Sequence, residues 1–195
     1  MIFLGTEVKN RSNAVPPYIV AEISGNHGGN RDTAFKLIDE AKRVGANAVK
    51  VQCYDADALT LPTSFEIRGK SLWKDKNLYE LYMESGTPYD WMGPLFEYAN
   101  KIGIPIFSSV YDERGIQELT RVGCRAFKIA SYEANDISFI EKVKATGKPI
   151  VVSTGTLNDI EIERLIGILD EDNSILLHCV STYPCELSKL GLQGM

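Results

Sequence analysis

The sequence predicts an α/β fold whose parallel strands curl into a (β/α)8 TIM-barrel type, and three observations point there. Short β-branched runs alternate with amphipathic helical stretches along the chain. The same glycine turn signal follows four of the helices. Polar residues gather where several different strands end, which is where barrel enzymes keep their functional groups.

Strands are expected at 18–23, 48–54, 104–109, 126–129, 149–154 and 174–179, and helices at 31–44, 88–102, 113–122, 137–146 and 159–169. In the first helix Ala34, Leu37, Ile38, Ala41 and Val44 recur at three- and four-residue steps, making one apolar stripe that fits against a sheet. Gly45, Gly103, Gly123 and Gly147 follow helices and lead directly into strands, so one αβ joint is used repeatedly. A doubly wound sheet is the competing architecture. It usually carries a glycine-rich fingerprint after its first strand, and the segment SGNHGG at 24–29 has neither dinucleotide nor P-loop spacing. A complete barrel typically takes about 250 residues. A chain of 195 is therefore expected to be incomplete, with about six of eight βα units. Residues 55–87 interrupt the rhythm as an insertion with a helix expected at 71–82, either a lid over the mouth or a helix packed on the rim.

Composition narrows the function classes. A formal net charge of −5 without a Lys/Arg cluster argues against nucleic acid or an anionic membrane surface as partner. No apolar run approaches a membrane span of about 20 residues. MIFLGTEVKN lacks the basic, then apolar pattern of a secretory leader, so a cytoplasmic location is expected. Cys53, Cys124, Cys179 and Cys185 form no CxxC pair and are expected to be reduced thiols, two of them buried in strands.

The chemistry begins with lysines inside strands. Alternation places Lys50, Gln52 and Tyr54 on one face of the second strand, and Lys128 interrupts the apolar fourth strand. An ammonium buried there needs an anion, either an internal carboxylate such as Glu22 or an anionic ligand. Hydroxyls collect nearby at Ser108, Ser109, Ser131, Ser153, Thr154, Ser181 and Thr182, as phosphate donors or as helix N-caps. Glu22 and Glu133 share these strand ends, and the lysines should keep both ionised for water positioning or proton transfer. His27 and His178, also at strand ends, leave a metal site open; for His178 a satisfied core position is the alternative.

AEISGNHGGNRDTAFKLIDEAKRVGANAVKVQCY, FKIASYEAND, KPIVVSTG and LLHCVSTYP together resemble the sialic acid synthase family, which condenses phosphoenolpyruvate with an amino-sugar aldehyde to make nonulosonic acids. The resemblance runs in order from about residue 17 to 195. GKSLWKDKNLYELYMESGTPYDW and ASYEAND are most similar to the branch that makes pseudaminic acid. It implies that Lys50, Ser109, Lys128, Ser131, Ser153 and Ser181 bind phosphoenolpyruvate, that Glu22, Gln52 and Tyr183 face the sugar, and that Glu133 works beside the reacting carbons. A divalent metal, Mn or Mg, would polarise the aldehyde; the family's two metal-binding histidines follow strands seven and eight and have no counterpart in this sequence. On the same resemblance the chain is one barrel domain over 1–195, stopping before strands seven and eight and lacking the family's antifreeze-like C-terminal domain. The family is homodimeric, and unpaired sheet edges offer this chain a further way to associate. The third strand reads SSVYD where the family commonly has proline and phenylalanine after the hydroxyls, so Val110 and Tyr111 are expected to reshape that rim. Three alternatives stand beside this reading: an N-acetylneuraminate or legionaminate synthase, a Schiff-base aldolase using Lys128 or Lys50, and an inactive truncated remnant.

Overall fold

The computed structural model describes residues 2–7, 16–63, 66–68, 73–182 and 184–194. An antiparallel hairpin of β1 (Ile2–Phe3) and β2 (Thr6–Glu7) opens the chain, an element the sequence reading did not include. Six parallel strands follow in chain order: β3 (Val20–Glu22), β4 (Ala48–Cys53), β5 (Ile106–Val110), β6 (Phe127–Ile129), β7 (Ile150–Ser153) and β8 (Ser174–Leu177). The sheet is curled into part of a barrel, as expected.

Five helices make the crossovers on its outer face: α1 (Arg31–Arg43), α3 (Met92–Ile102), α4 (Glu113–Arg121), α5 (Ile137–Lys144) and α6 (Asp159–Ile168). Each observed strand and crossover helix lies within, or within a residue of, the range the periodicity predicts, because burial of one helical stripe against a sheet is a strong local signal. Ala34, Ile38 and Ala41 are buried under α1, and Leu95, Phe96 and Ala99 under α3. Gly45, Gly103, Gly123 and Gly147 all adopt left-handed φ between 67° and 84°, the conformation that turns each helix end into the next strand.

The insertion departs from expectation in register. Its helix, α2, spans Leu78–Ser85 and is capped by Asn77, whose side chain accepts from the Tyr79 and Glu80 amides. Residues 71 and 72 of the expected 71–82 helix lie outside the described residues.

The pleat sorts side chains between core and lumen. Val49, Val51, Cys53, Phe127, Ile129 and Val152 face the helices and are fully buried. Ser108 belongs to this outer face. Its hydroxyl accepts from the Cys53 amide at 3.1 Å and reaches the Val51 carbonyl at 3.2 Å, so it ties β5 to β4 and is not a ligand donor. Val110, opposite Cys53, is likewise buried in the core and does not shape the rim. Phe3 of the hairpin packs edge-to-face on Phe107 at 5.3 Å, covering the end of the lumen away from the strand C-termini.

Among the described residues the outer edges of β3 and β8 pair with no further strand. Ile19, Leu176 and Leu177 are exposed there. Among the described residues no helix is long and apolar enough to cross a membrane.

Removing the Ser108 hydroxyl leaves the buried Cys53 amide without its partner. Ser108→Ala is expected to lower unfolding stability by about 1–3 kcal/mol in denaturant titrations without changing anion affinity. A loss of anion binding at unchanged stability would place Ser108 in the lumen instead.

Candidate functional site

Register alone builds the site. Glu22, Lys50 and Phe107 lie opposite one another on β3, β4 and β5, and one layer higher Gln52, Ser109, Lys128 and Val151 do the same across β4 to β7. All of these side chains share the lumen face, because residues paired in a parallel ladder point the same way.

The two lysines differ in environment. Lys50 is buried; its Nζ lies 2.6 Å from Glu22 Oε2 and donates to Ser109 Oγ at 2.8 Å. The opposite edge of the Glu22 carboxylate accepts from the Ser24 amide at 3.0 Å. Burial still pushes the Lys50 ammonium below its usual range, with Glu22 working against that shift. Lys128 has no ion-pair partner among the described residues. Burial first, and the Lys50 charge second, push it down to about 8, with Cys179, Glu22 and Glu133 opposing. The internal-carboxylate reading holds for Lys50, whereas Lys128 lacks such a partner among the described residues.

The strand-end serines are not spent on capping, because other residues cap the helices, although Thr154 gives its hydroxyl to the Leu177 carbonyl at 3.1 Å. Asn30, Asp112, Asp136 and Asn158 cap α1, α4, α5 and α6, and α3 starts from a 3-10 turn without a side-chain cap. None of the strand-end serines serves there. Ser109, Ser131 and Ser153 are buried, and Ser153 faces the lumen opposite Leu177. Ser181 is brought in by a close approach of two loops: a Cβ on Gly155 would lie 2.6 Å from Ser181 Oγ and 2.8 Å from the Cys179 carbonyl. Only glycine permits that contact. Tyr183, expected to face the sugar, lies outside the described residues.

Glu133 corrects one expectation. Burial raises its carboxyl above the ordinary range, outweighing Lys128, so it is not simply held ionised by a neighbouring lysine. Its Oε2 is shielded from solvent and has no hydrogen-bond partner. Three tyrosines stand around this carboxylate end of the lumen. Tyr54 meets Tyr111 edge-to-face at 5.2 Å and Tyr82 of α2 at 6.1 Å, and its hydroxyl bonds Ser85 at 3.1 Å. The insertion is therefore attached to the mouth through Tyr54. Burial first, and the Glu133 charge after it, raise the Tyr111 phenol. Tyr54 was legible as a lumen position from alternation; Tyr82 carried no signal, since its approach depends on how the insertion folds back.

The histidines do not build a metal centre. His27 is buried against Trp91; its Nδ1 accepts from the Gly29 amide at 3.1 Å, which leaves Nε2–H to donate to Thr87 Oγ1 at 3.0 Å. His178 is exposed, not a core residue, and bonds the Leu190 carbonyl at 2.7 Å. Among the described residues no three His, Cys, Asp or Glu side chains converge on a common point, so these residues do not by themselves fit the divalent metal that the resemblance implies. All four cysteines are free thiols; Cys53 is buried in β4 as expected, whereas Cys124 is buried in the turn before β6, bonded to the Ala126 carbonyl. A groove of about 520 Å³ between the first βα loop and the insertion is lined by Gly25, Gly28, Trp73 and Lys76 and does not include the lumen lysines.

The curled parallel sheet thus gathers a buried and a half-buried lysine, hydroxyls and carboxyls at its strand ends, an arrangement of the barrel type that is able to accept a small, oxygen-rich anion. The chain belongs to the NeuB family, whose model matches residues 37–195. It is 40% identical over 184 residues to a pseudaminic acid synthase from Campylobacter jejuni, covering 91% of this chain and 53% of that protein. A pseudaminic acid synthase from Helicobacter pylori is 38% identical over 186 residues, with coverage of 92% and 54%. The crystal structure of an N-acetylneuraminic acid (sialic acid) synthetase from Leptospira borgpetersenii in complex with citrate superposes with a TM-score of 0.80 at 29% identity, covering 92% of this chain and 60% of that one. The chain thus spans about half the length of the synthases it matches.

An anion held at Lys128 stabilises its protonated form and so raises its pKa. Affinity for anion probes, phosphoenolpyruvate among them, is therefore expected to be level below pH 8 and to fall, by up to about tenfold per unit, as Lys128 loses its proton above that value. Titration calorimetry between pH 7 and 9.5 measures it, and a flat profile would remove Lys128 from the anion site.

Proposed function

We propose that this chain supplies the phosphoenolpyruvate-binding part of a synthase that condenses phosphoenolpyruvate with an N-acetylated amino-sugar aldehyde, forming a nonulosonic acid and releasing phosphate. The observation that carries this reading is Lys128, a half-buried cation without an ion-pair partner among the described residues, in register with Ser109 and one layer above Lys50. The pseudaminic type of acceptor is favoured by identities of 40% and 38% with pseudaminic acid synthases, against 29% with an N,N'-diacetyllegionaminic acid synthase from Legionella pneumophila.

Phosphoenolpyruvate offers two anionic groups to two lysines, and the hydroxyls of Ser109, Ser131, Ser153 and Ser181 supply further donors around them. Held in this way, its C3 is directed at the acceptor, with Glu22 and Gln52 on the sugar side. A bond forms between C3 and the aldehyde carbon, the aldehyde oxygen takes up a proton, and positive charge develops at C2. Water adds to C2 and gives up a proton; the bond between C2 and the phosphate oxygen then breaks, leaving a ketone and inorganic phosphate. Glu133 is the group placed to handle that water. A carboxyl raised by burial exchanges its proton closer to neutrality than an exposed one, and its charge stabilises the cationic centre when ionised.

The depressed Lys128 favours a second reading, since an amine near pKa 8 is a competent carbonyl nucleophile. Borohydride in the presence of pyruvate separates the two. A synthase of the proposed kind leaves the protein mass unchanged, whereas a trapped adduct on Lys128 would establish the aldolase.

Glu133→Gln is expected to slow phosphate release from phosphoenolpyruvate and acceptor by about 100-fold or more, while phosphoenolpyruvate affinity stays within about twofold. Near-normal turnover in a folded variant would exclude Glu133 from the chemistry.

A further inference from the structure

The turn that follows β3 is built against its own sequence. Ser24 and Gly25 are its central residues, and Asn26 closes it, the amide and the side-chain Nδ2 both donating to the Ile23 carbonyl at 3.1 and 2.9 Å. The left-handed backbone falls on Ser24, at φ 49°, and not on the glycine beside it. Gly25 is required for a different reason: a Cβ there would lie 2.8 Å from Ser85 Cβ and 3.1 Å from the Ser85 carbonyl oxygen. Ser85 ends α2 and is itself pinned, since its hydroxyl donates to the Leu81 carbonyl at 2.8 Å and meets the Tyr54 hydroxyl at 3.1 Å. Two residues on, His27 bonds Thr87 and fixes the same loop to the end of the insertion a second time. This strained turn aims the Ser24 amide at Glu22 Oε1, 3.0 Å away, while Glu22 Oε2 lies 2.6 Å from Lys50 Nζ.

We propose that Ser24, Gly25 and Asn26 are positioning residues for Glu22: with the end of α2 as the stop, their turn holds the carboxylate across Lys50. Each Glu22 oxygen then has one partner and keeps a lone pair, and the side chain stays 41% exposed at the mouth. Held there, Glu22 tempers the Lys50 charge, so that an anion in the lumen is bound less tightly than two unpaired lysines would bind it. It also presents a fixed pair of acceptors to the hydroxyls of the sugar, and that half of the inference rests on the synthase reading.

Gly25→Ala forces the turn off Ser85 and should release Glu22 from Lys50. The probe is sulfate, doubly charged at pH 6.5, titrated by calorimetry into the protein as its gene encodes it. Glu22→Gln and Gly25→Ala are each expected to bind sulfate about fivefold more tightly than wild type, and the double variant no more tightly than either single one. A turn that only supports the fold would weaken binding when disturbed. Unchanged or weaker sulfate binding in either single variant, or effects that add in the double variant, therefore overturn the proposal. Should Gly25→Ala not fold, Asn26→Ala loosens the same turn without a clash and should tighten sulfate binding about twofold, with no change or a loss again overturning it. Assayed with phosphoenolpyruvate and a 6-deoxy-diacetamido-altrose, Gly25→Ala should raise the acceptor KM about tenfold and leave the phosphoenolpyruvate KM no higher than in wild type. An unchanged acceptor KM overturns the sugar-facing half. A wild-type protein that releases no phosphate refutes the synthase reading alone, and the sulfate titrations still decide the positioning.

Discussion

Two ammonium groups share the lumen of a sheet whose other face is sealed by helices, and most of the site can be understood as the response to that charge. Removing an ion from water costs several kcal/mol even after the surroundings relax. Glu22 and Ser109 offset this for Lys50 at 2.6 and 2.8 Å. No ion pair does so for Lys128, and the Lys50 charge adds to its difficulty. The result is a lumen with an unmet demand for negative charge, an environment that favours an anion over a neutral group.

The frame leaves the site's polar groups available by meeting its own needs elsewhere. Asparagine and aspartate caps hold four of the five crossover helices, so the serines at the strand ends do not serve as caps. Ser108 and Ser109 divide the work most clearly. Adjacent in sequence, they point to opposite faces of β5, one bonding backbone between strands and the other accepting from Lys50. The insertion then adds an aromatic side to the mouth. Tyr54 stands between Tyr82 of α2 and Tyr111 at the end of β5, edge-to-face with both, so the insertion is tied to the strand end.

Pairing of lysine and carboxylate also separates the roles of Glu22 and Glu133. Glu22 is exposed, ion-paired and anchored by the Ser24 amide, whereas Glu133 lies under the tyrosines with one oxygen unpartnered and its carboxyl raised by burial. Two carboxyls in such different surroundings are suited to different tasks, one pairing with Lys50 and the other, raised by burial, suited to exchanging a proton.

The sequence by itself determined the parallel architecture, the crossover helices, the glycine joints and the lumen face of Lys50, Gln52 and Lys128. All of these follow from period, parity or backbone conformation, which are local properties of neighbouring residues. The tertiary structure decided what depends on contacts between residues far apart in the chain. These include the hairpin that packs Phe3 on Phe107, the register of α2, and the use of His27 as a buried clamp on Thr87. Which lysine has a carboxylate partner, and why Glu133 is raised, belong to the same group. Periodicity can place a charged side chain on a face, but its pKa and its partner are set by the groups that other strands bring within a few ångströms, and those distances exist only once the strands are assembled into the curled sheet.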